Sequence, residues 1–161
     1  MYTETTWSLR PGRAEDVEPI AELRAVVMRD DLVRLGRYDE HRVRQRLRDG
    51  FSPEHTSVVE AGGAFVGCVT LRPYGDGPGL YLEHFYLAPE AQGAGLGTAV
   101  LRELLARADE RSLPVRLVVV RGSRAQRLYE REGFTVESTV DPIDVLMVRE
   151  APLREPRPPA A

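Results

Sequence analysis

The chain has no lysine, no asparagine and only one cysteine in 161 residues. Without lysine there is no Gly-Lys-Ser/Thr step, which excludes a P-loop. The single cysteine, Cys68, cannot close an intrachain disulfide, and a reducing compartment is the simplest fit. Cys68 sits in the apolar run 65–71 and reads as a small buried hydrophobe rather than a nucleophile. No apolar run approaches the ~18 residues that a membrane-spanning helix needs. Residues 1–10 lack the apolar centre of a signal peptide, so the cytoplasm is the expected location. An excess of one charge is missing as well. The 22 arginines face 25 acidic residues, and a net charge of −3 gives no field to draw the chain to nucleic acid or membrane.

What is present is ordinary globular material, 42% hydrophobic and 29% charged. The length suits one domain, expected over residues 1–150, which can bury about 70% of its surface on folding. Residues 151–161 hold four prolines and little that is apolar, and read as a disordered tail. A short strand at 6–10 meets Pro11-Gly12, and helical spacing follows over 14–29 through Val17, Ile20, Ala21, Arg24, Val27 and Met28. A second helix is expected over 39–49, rich in arginine on a solvated face. Between the two, residues 30–38 are expected to line a substrate mouth. Strands at 56–60 and 64–72 flank a Gly-Gly turn. A loop at 73–79 leads to a strand at 80–87, and a β-branched apolar run at 115–120 reads as a buried strand. Ser123 can cap a short helix over 124–132. A last strand is expected at 144–149. This order predicts a mixed α/β architecture, a central sheet flanked by helices, with the strands at 80–87 and 115–120 parallel across a right-handed crossover.

The chain is organised around residues 80–107, a strand, a Gly-rich turn and an amphipathic helix. Gly93, Gly95 and Gly97 open that helix, where unpaired N–H groups and the helix dipole favour an anion, usually phosphate. The dinucleotide fingerprint fails here, because Thr98 stands where its third glycine belongs. Gln92-x-x-Gly95-x-Gly97 does match the Q/R-x-x-G-x-G/A segment of the GCN5-related N-acetyltransferase (GNAT) superfamily, and the chain resembles that family. A second block, Ala125-x-x-Leu128-Tyr129-Glu130-x-x-Gly133-Phe134, resembles the family's A-x-x-L-Y-E-x-x-G-F segment in the right order. Where many members carry an Asn before this block, the chain has Gly122-Ser123. The strand Tyr81-Leu82-Glu83-x-Phe85-Tyr86-Leu87 is similar to that of the diamine acetyltransferase type, which by itself assigns no substrate.

The resemblance implies a GNAT fold, acetyl-CoA as cosubstrate and transfer of its acetyl group to a primary amine of a small molecule or peptide. It implies cofactor contacts from Phe85, Tyr86 and Leu87, whose main chain would pair with pantetheine. It also implies contacts from Gln92, Gly93, Ala94, Gly95, Leu96, Gly97 and Thr98 around the pyrophosphate, and from Ser123 and Ala125. A homodimer is a state the family often adopts. Direct attack by an amine needs a base and an acid. Glu83, an acid within an apolar strand, is the candidate base. Its plain alternative is a surface carboxylate paired with an arginine. His84 is the rival base, expected to face the other way because strand side chains alternate. Tyr129 is the candidate acid, with a buried core aromatic as its plain alternative. His41 and His55 show no metal-ligand spacing. Asp76, Asp141 and Asp144 read as turn residues before cation contacts. Two further readings stand beside the enzyme: an acyl-CoA-binding sensor of the same fold, and an adenine-nucleotide-binding domain of another class.

Overall fold

The computed structural model of the chain describes residues 7–153. Thr6 of the first expected strand and all but the first three residues of the expected tail lie outside the described residues. Seven strands form one sheet in the order β1-β2-β3-β4-β5-β7-β6. Strand β1 (Trp7–Pro11) pairs antiparallel with β2 (Thr56–Ala61), and β2 with β3 (Ala64–Pro73) across the turn at Gly62-Gly63. Strand β4 (Leu80–Leu87) pairs antiparallel with β3 and parallel with β5 (Val115–Val120). Strand β7 (Asp144–Arg149) lies between β5 and the edge strand β6 (Thr135–Thr139).

Four α-helices join these strands. Helix α1 spans Val17–Arg34 after a 3₁₀ turn at Ala14–Asp16, and α2 spans Glu40–Gly50. Helix α1 runs five residues past its expected end because nothing in 30–34 breaks it; the first glycine after Arg29 is Gly36. The expected mouth at 30–38 is therefore half helix. The Asp39 side chain caps α2 by accepting from the Arg42 N–H at 2.7 Å. Of the arginines of α2, Arg42 and Arg46 are exposed on the expected solvated face, and the other two also form ion pairs. Arg44 pairs with Glu22 and Arg48 with Glu18, both across to α1.

Helix α3 (Leu96–Glu110) buries Leu96, Val100, Leu101, Leu104, Leu105 and Ala108, the apolar face that its spacing predicts. Helix α4 spans Arg124–Arg131, with the Ser123 side chain accepting from the Gln126 N–H at 3.2 Å. Neighbouring residues of β4 assign the helices to the two faces of the sheet. Tyr86 meets Arg24 of α1, whereas the Leu87 side chain packs beside Gly97 of α3.

Strand β4 departs from regular pairing on both of its edges. Its parallel pairing with β5 covers only Leu80↔Val115 and Tyr81↔Arg116. Beyond Tyr81 the ladder stops, which leaves one backbone edge of β4 without a strand neighbour among the described residues. The register with β3 also shifts, from Thr70↔Glu83 to Cys68↔Tyr86, so His84 and Phe85 together oppose Val69. His84 takes φ +49°, a conformation rare outside glycine.

Candidate active site

Beside the C-terminal half of β4 lies a cleft of about 540 Å³. Phe85 and Leu87 line it from β4. Gln92, Gly93, Gly95, Gly97 and Thr98 line it from the turn and the first residues of α3. Ala125, Leu128 and Tyr129 line it from α4, and Val27 from α1.

The turn folds back onto the strand that precedes it. The Gln92 side-chain amide donates to the Leu87 carbonyl at 2.9 Å, folding the turn back onto the end of β4. Gly95 caps α3 at φ +85° and Gly93 stands at φ +84°. A Cβ built on either residue would meet open space, so glycine here answers to backbone conformation and to room for a ligand, not to a clash within the protein. The first hydrogen bond into α3 runs from the Ala99 N–H to the Gly95 carbonyl. Among the described residues the N–H groups of residues 93–98 have no protein acceptor. They gather at the positive end of a 15-residue helix.

Tyr129 is buried, and its ring packs edge-on against Phe134 with centroids 5.5 Å apart. Its hydroxyl has no protein partner among the described residues. Burial pushes the phenol well above its ordinary range, so it holds its proton at neutral pH. Four charges rim the cleft: Asp30 and Asp31 on α1, Arg124 and Arg131 on α4.

The remaining sequence-predicted residues stand outside the cleft lining. Leu96 is buried in the core and has only its backbone to offer. Ala94 is exposed in the turn, and Ser123 is buried as the cap of α4. Tyr86 points to the α1 face, where burial pushes its phenol up to about 12. Glu83 lies two residues before Phe85 on the same strand. Arg72 of β3 holds both its oxygens, Nε to Oε1 at 3.0 Å and Nη2 to Oε2 at 3.2 Å.

His84 does not face away from Glu83, as strict alternation predicts. The bulge turns its ring so that Nε2 stands 3.6 Å from Glu83 Oε1. The other ring nitrogen, Nδ1, is 3.2 Å from the Tyr86 hydroxyl. Burial, the largest influence, and the nearby Arg24 and Arg72 lower the His84 pKa below 6.5, against the opposing pull of Glu83. Sequence reasoning passed over Arg24 and Arg72. Arg24 carried a signal nonetheless, as a cation on the apolar face of a helix beside Ile20 and Val27.

A mixed sheet splayed at its centre, with a Gly-rich helix start and a buried tyrosine beside the gap, defines the class of fold. The model of the acetyltransferase (GNAT) family matches residues 20–134, and the chain belongs to that family. Over 56 residues it is 45% identical to the GCN5-like protein acetyltransferase Rv2170 of Mycobacterium tuberculosis (strain ATCC 25618 / H37Rv). That match covers 34% of this chain and 27% of the relative, about a quarter of its length. Among solved structures, the PaiA N-acetyltransferase of Thermoplasma acidophilum in complex with coenzyme A is similar at a TM-score of 0.73 and 22% identity. The superposition covers 90% of this chain and 99% of that one. Arabidopsis thaliana Naa50 in complex with the bisubstrate analogue CoA-Ac-MVNAL is similar at 0.64 and 17% identity, over 90% and 99% of the two chains. At these identities the likeness is one of fold. Enzymes of the family use acetyl-CoA as cosubstrate, and the free N–H groups and open β4 edge of this chain fit that group.

Proposed function

We propose that this chain is an N-acetyltransferase that moves the acetyl group of acetyl-CoA onto a primary amine of a small molecule or peptide, in the cytoplasm. The observation that carries the reading is the unpaired N–H array of residues 93–98 beside the unpaired edge of β4. One binds the pyrophosphate; the other adds the pantetheine as an extra strand. When bound, the cosubstrate supplies an activated acyl carbonyl. Glu83 takes the proton that the acceptor amine must lose. Tyr129 holds a proton at its hydroxyl, on the cleft wall, for the leaving group. The walls hold the two substrates together, which contributes much of the rate.

The ion pair between Arg72 and Glu83 favours a second reading, a binding module without turnover, because a carboxylate committed to a guanidinium is a poorer base. Release of free thiol from acetyl-CoA, measured over a panel of diamines, amino acids and peptides, separates the two. Turnover on any acceptor above the hydrolysis background supports the enzyme. Binding of acetyl-CoA with no turnover across the panel supports the sensor.

A further inference from the structure

A line of polar side chains runs from the core of α1 to Glu83. Arg24 is 8% exposed, and its Nη1 donates to the Val43 carbonyl of α2. Its Nε donates to the Tyr86 hydroxyl at 3.0 Å. That hydroxyl also contacts His84 Nδ1, and His84 Nε2 faces Glu83. The His84 carbonyl accepts from the Cys68 thiol at 3.2 Å, which ties the bulge to β3.

The chemistry of the donors fixes the direction of this line. A guanidinium only donates, so the Tyr86 oxygen is the acceptor toward Arg24. The single hydroxyl hydrogen then has one acceptor among the described residues, His84 Nδ1. Neutral His84 therefore carries its proton on Nε2, the nitrogen that faces Glu83. At 3.6 Å that contact is electrostatic and too long for a hydrogen bond. A second proton on Nδ1 would meet the Tyr86 O–H head-on and leave that hydrogen without its acceptor. The charged groups around the ring are Arg24 from α1, Arg72 from β3 and Glu83 from β4 itself; only Glu83 favours an imidazolium. From α2, Gly50 packs near Nε2 and brings no charge.

We propose that Arg24 is a positioning residue for acetyl transfer: acting through the Tyr86 hydroxyl, it holds His84 as the neutral Nε2–H tautomer facing Glu83, which leaves Glu83, not His84, to accept the amine proton. The catalytic half of this statement rests on Glu83 being the base. The tautomer does not, and it can be read without any substrate.

The experiment is long-range proton–nitrogen NMR on the ¹⁵N-histidine-labelled protein across the pH range. Only His41, His55 and His84 contribute signals, and His84→Gln assigns the one that matters. The expected wild-type pattern is a protonated Nε2 and a bare Nδ1, still neutral as the pH passes below 6.5. In Arg24→Met the Tyr86 oxygen is released, and the Nε2–H pattern is lost to a tautomer mixture. Where Arg24→Met does not fold, Tyr86→Phe removes the hydroxyl at nearly constant volume and gives the same loss. A protonated Nδ1 in the wild type, or an unchanged pattern in the folded variant, overturns the proposal. In turnover, kcat falls in the variant while the KM for acetyl-CoA stays within about twofold. A wild type without turnover counts against the enzyme reading alone, since the tautomer stands or falls on its spectrum.

Discussion

Arg72 grips the carboxylate of Glu83 at both oxygens, at 3.0 and 3.2 Å. The guanidinium is itself held, lying 5.0 Å over the Tyr81 ring, which stacks on Tyr74 at 5.7 Å, with Arg116 over Tyr74 at 5.3 Å. Glu83 is thus fixed by a row of side chains that crosses from β3 to β5. Glu83→Gln keeps the shape and one acceptor for Arg72 but cannot take a proton. Turnover should fall by about 10²-fold or more, with acetyl-CoA affinity within a few-fold of wild type. A variant as active as the wild type removes Glu83 from the chemistry.

Tyr129→Phe isolates a hydroxyl. The ring keeps its packing on Phe134, and no hydrogen bond among the described residues is lost, so the melting temperature should barely move. The expected loss is in kcat, about 10²-fold, with little change in acetyl-CoA binding. Equal losses of affinity and rate mean that the hydroxyl serves binding instead of proton transfer.

Much of this was legible in the sequence because the signals were local. The apolar face of α3, the Ser123 cap and the bounds of β5 and β7 each follow from short-range spacing. The bulge at His84 was not legible. It arises from a register shift against β3, and strand alternation on β4 alone predicts the opposite orientation. Arg24 needed Tyr86, 62 positions away, before its burial made sense. The splay of β4 from β5 depends on pairing that stops after two residues, which no composition encodes. The length of α1 turned on the absence of a stop before Gly36.

Gly67 on β3 supports the site strand through close approach. A Cβ there would clash with the Tyr86 carbonyl and lie 2.6 Å from Leu87 Cδ2. Gly67→Ala should lower stability by about 1–3 kcal/mol, read as a shifted denaturant midpoint. It should also weaken acetyl-CoA binding, because β4 must move. Unchanged stability would mean that the two strands separate more easily than their packing implies.

Acid should lower the protein's stability in two pH windows. His84 sits below 6.5 when folded, so the unfolded chain takes up its proton first, and stability drops as the pH falls below that value. Asp16 accepts from Arg10 at 2.8 and 2.9 Å and from the Arg13 N–H at 2.7 Å, and Arg10 holds it below 3.8. Its contribution is complete at neutral pH and disappears as the pH falls through 3.8 toward the folded value. Asp16→Ala should cost about 1.5–3 kcal/mol at pH 7, and the gap to wild type should close in strong acid. Urea melts at a series of pH values check both windows. A gap that stays constant down to pH 2 contradicts the ion-pair role of Asp16.

The most direct test is a calorimetric titration of acetyl-CoA into the purified protein, beside Gly95→Tyr, which puts a side chain into the cradle at a φ of +85°. Saturable binding in about the micromolar range is expected for the wild type. No binding is expected for the variant, whose thermal melt should show that it remains folded. A folded wild type that gives no binding heat contradicts the acyl-CoA site, and the stretch from β4 to α3 is then only a Gly-rich turn.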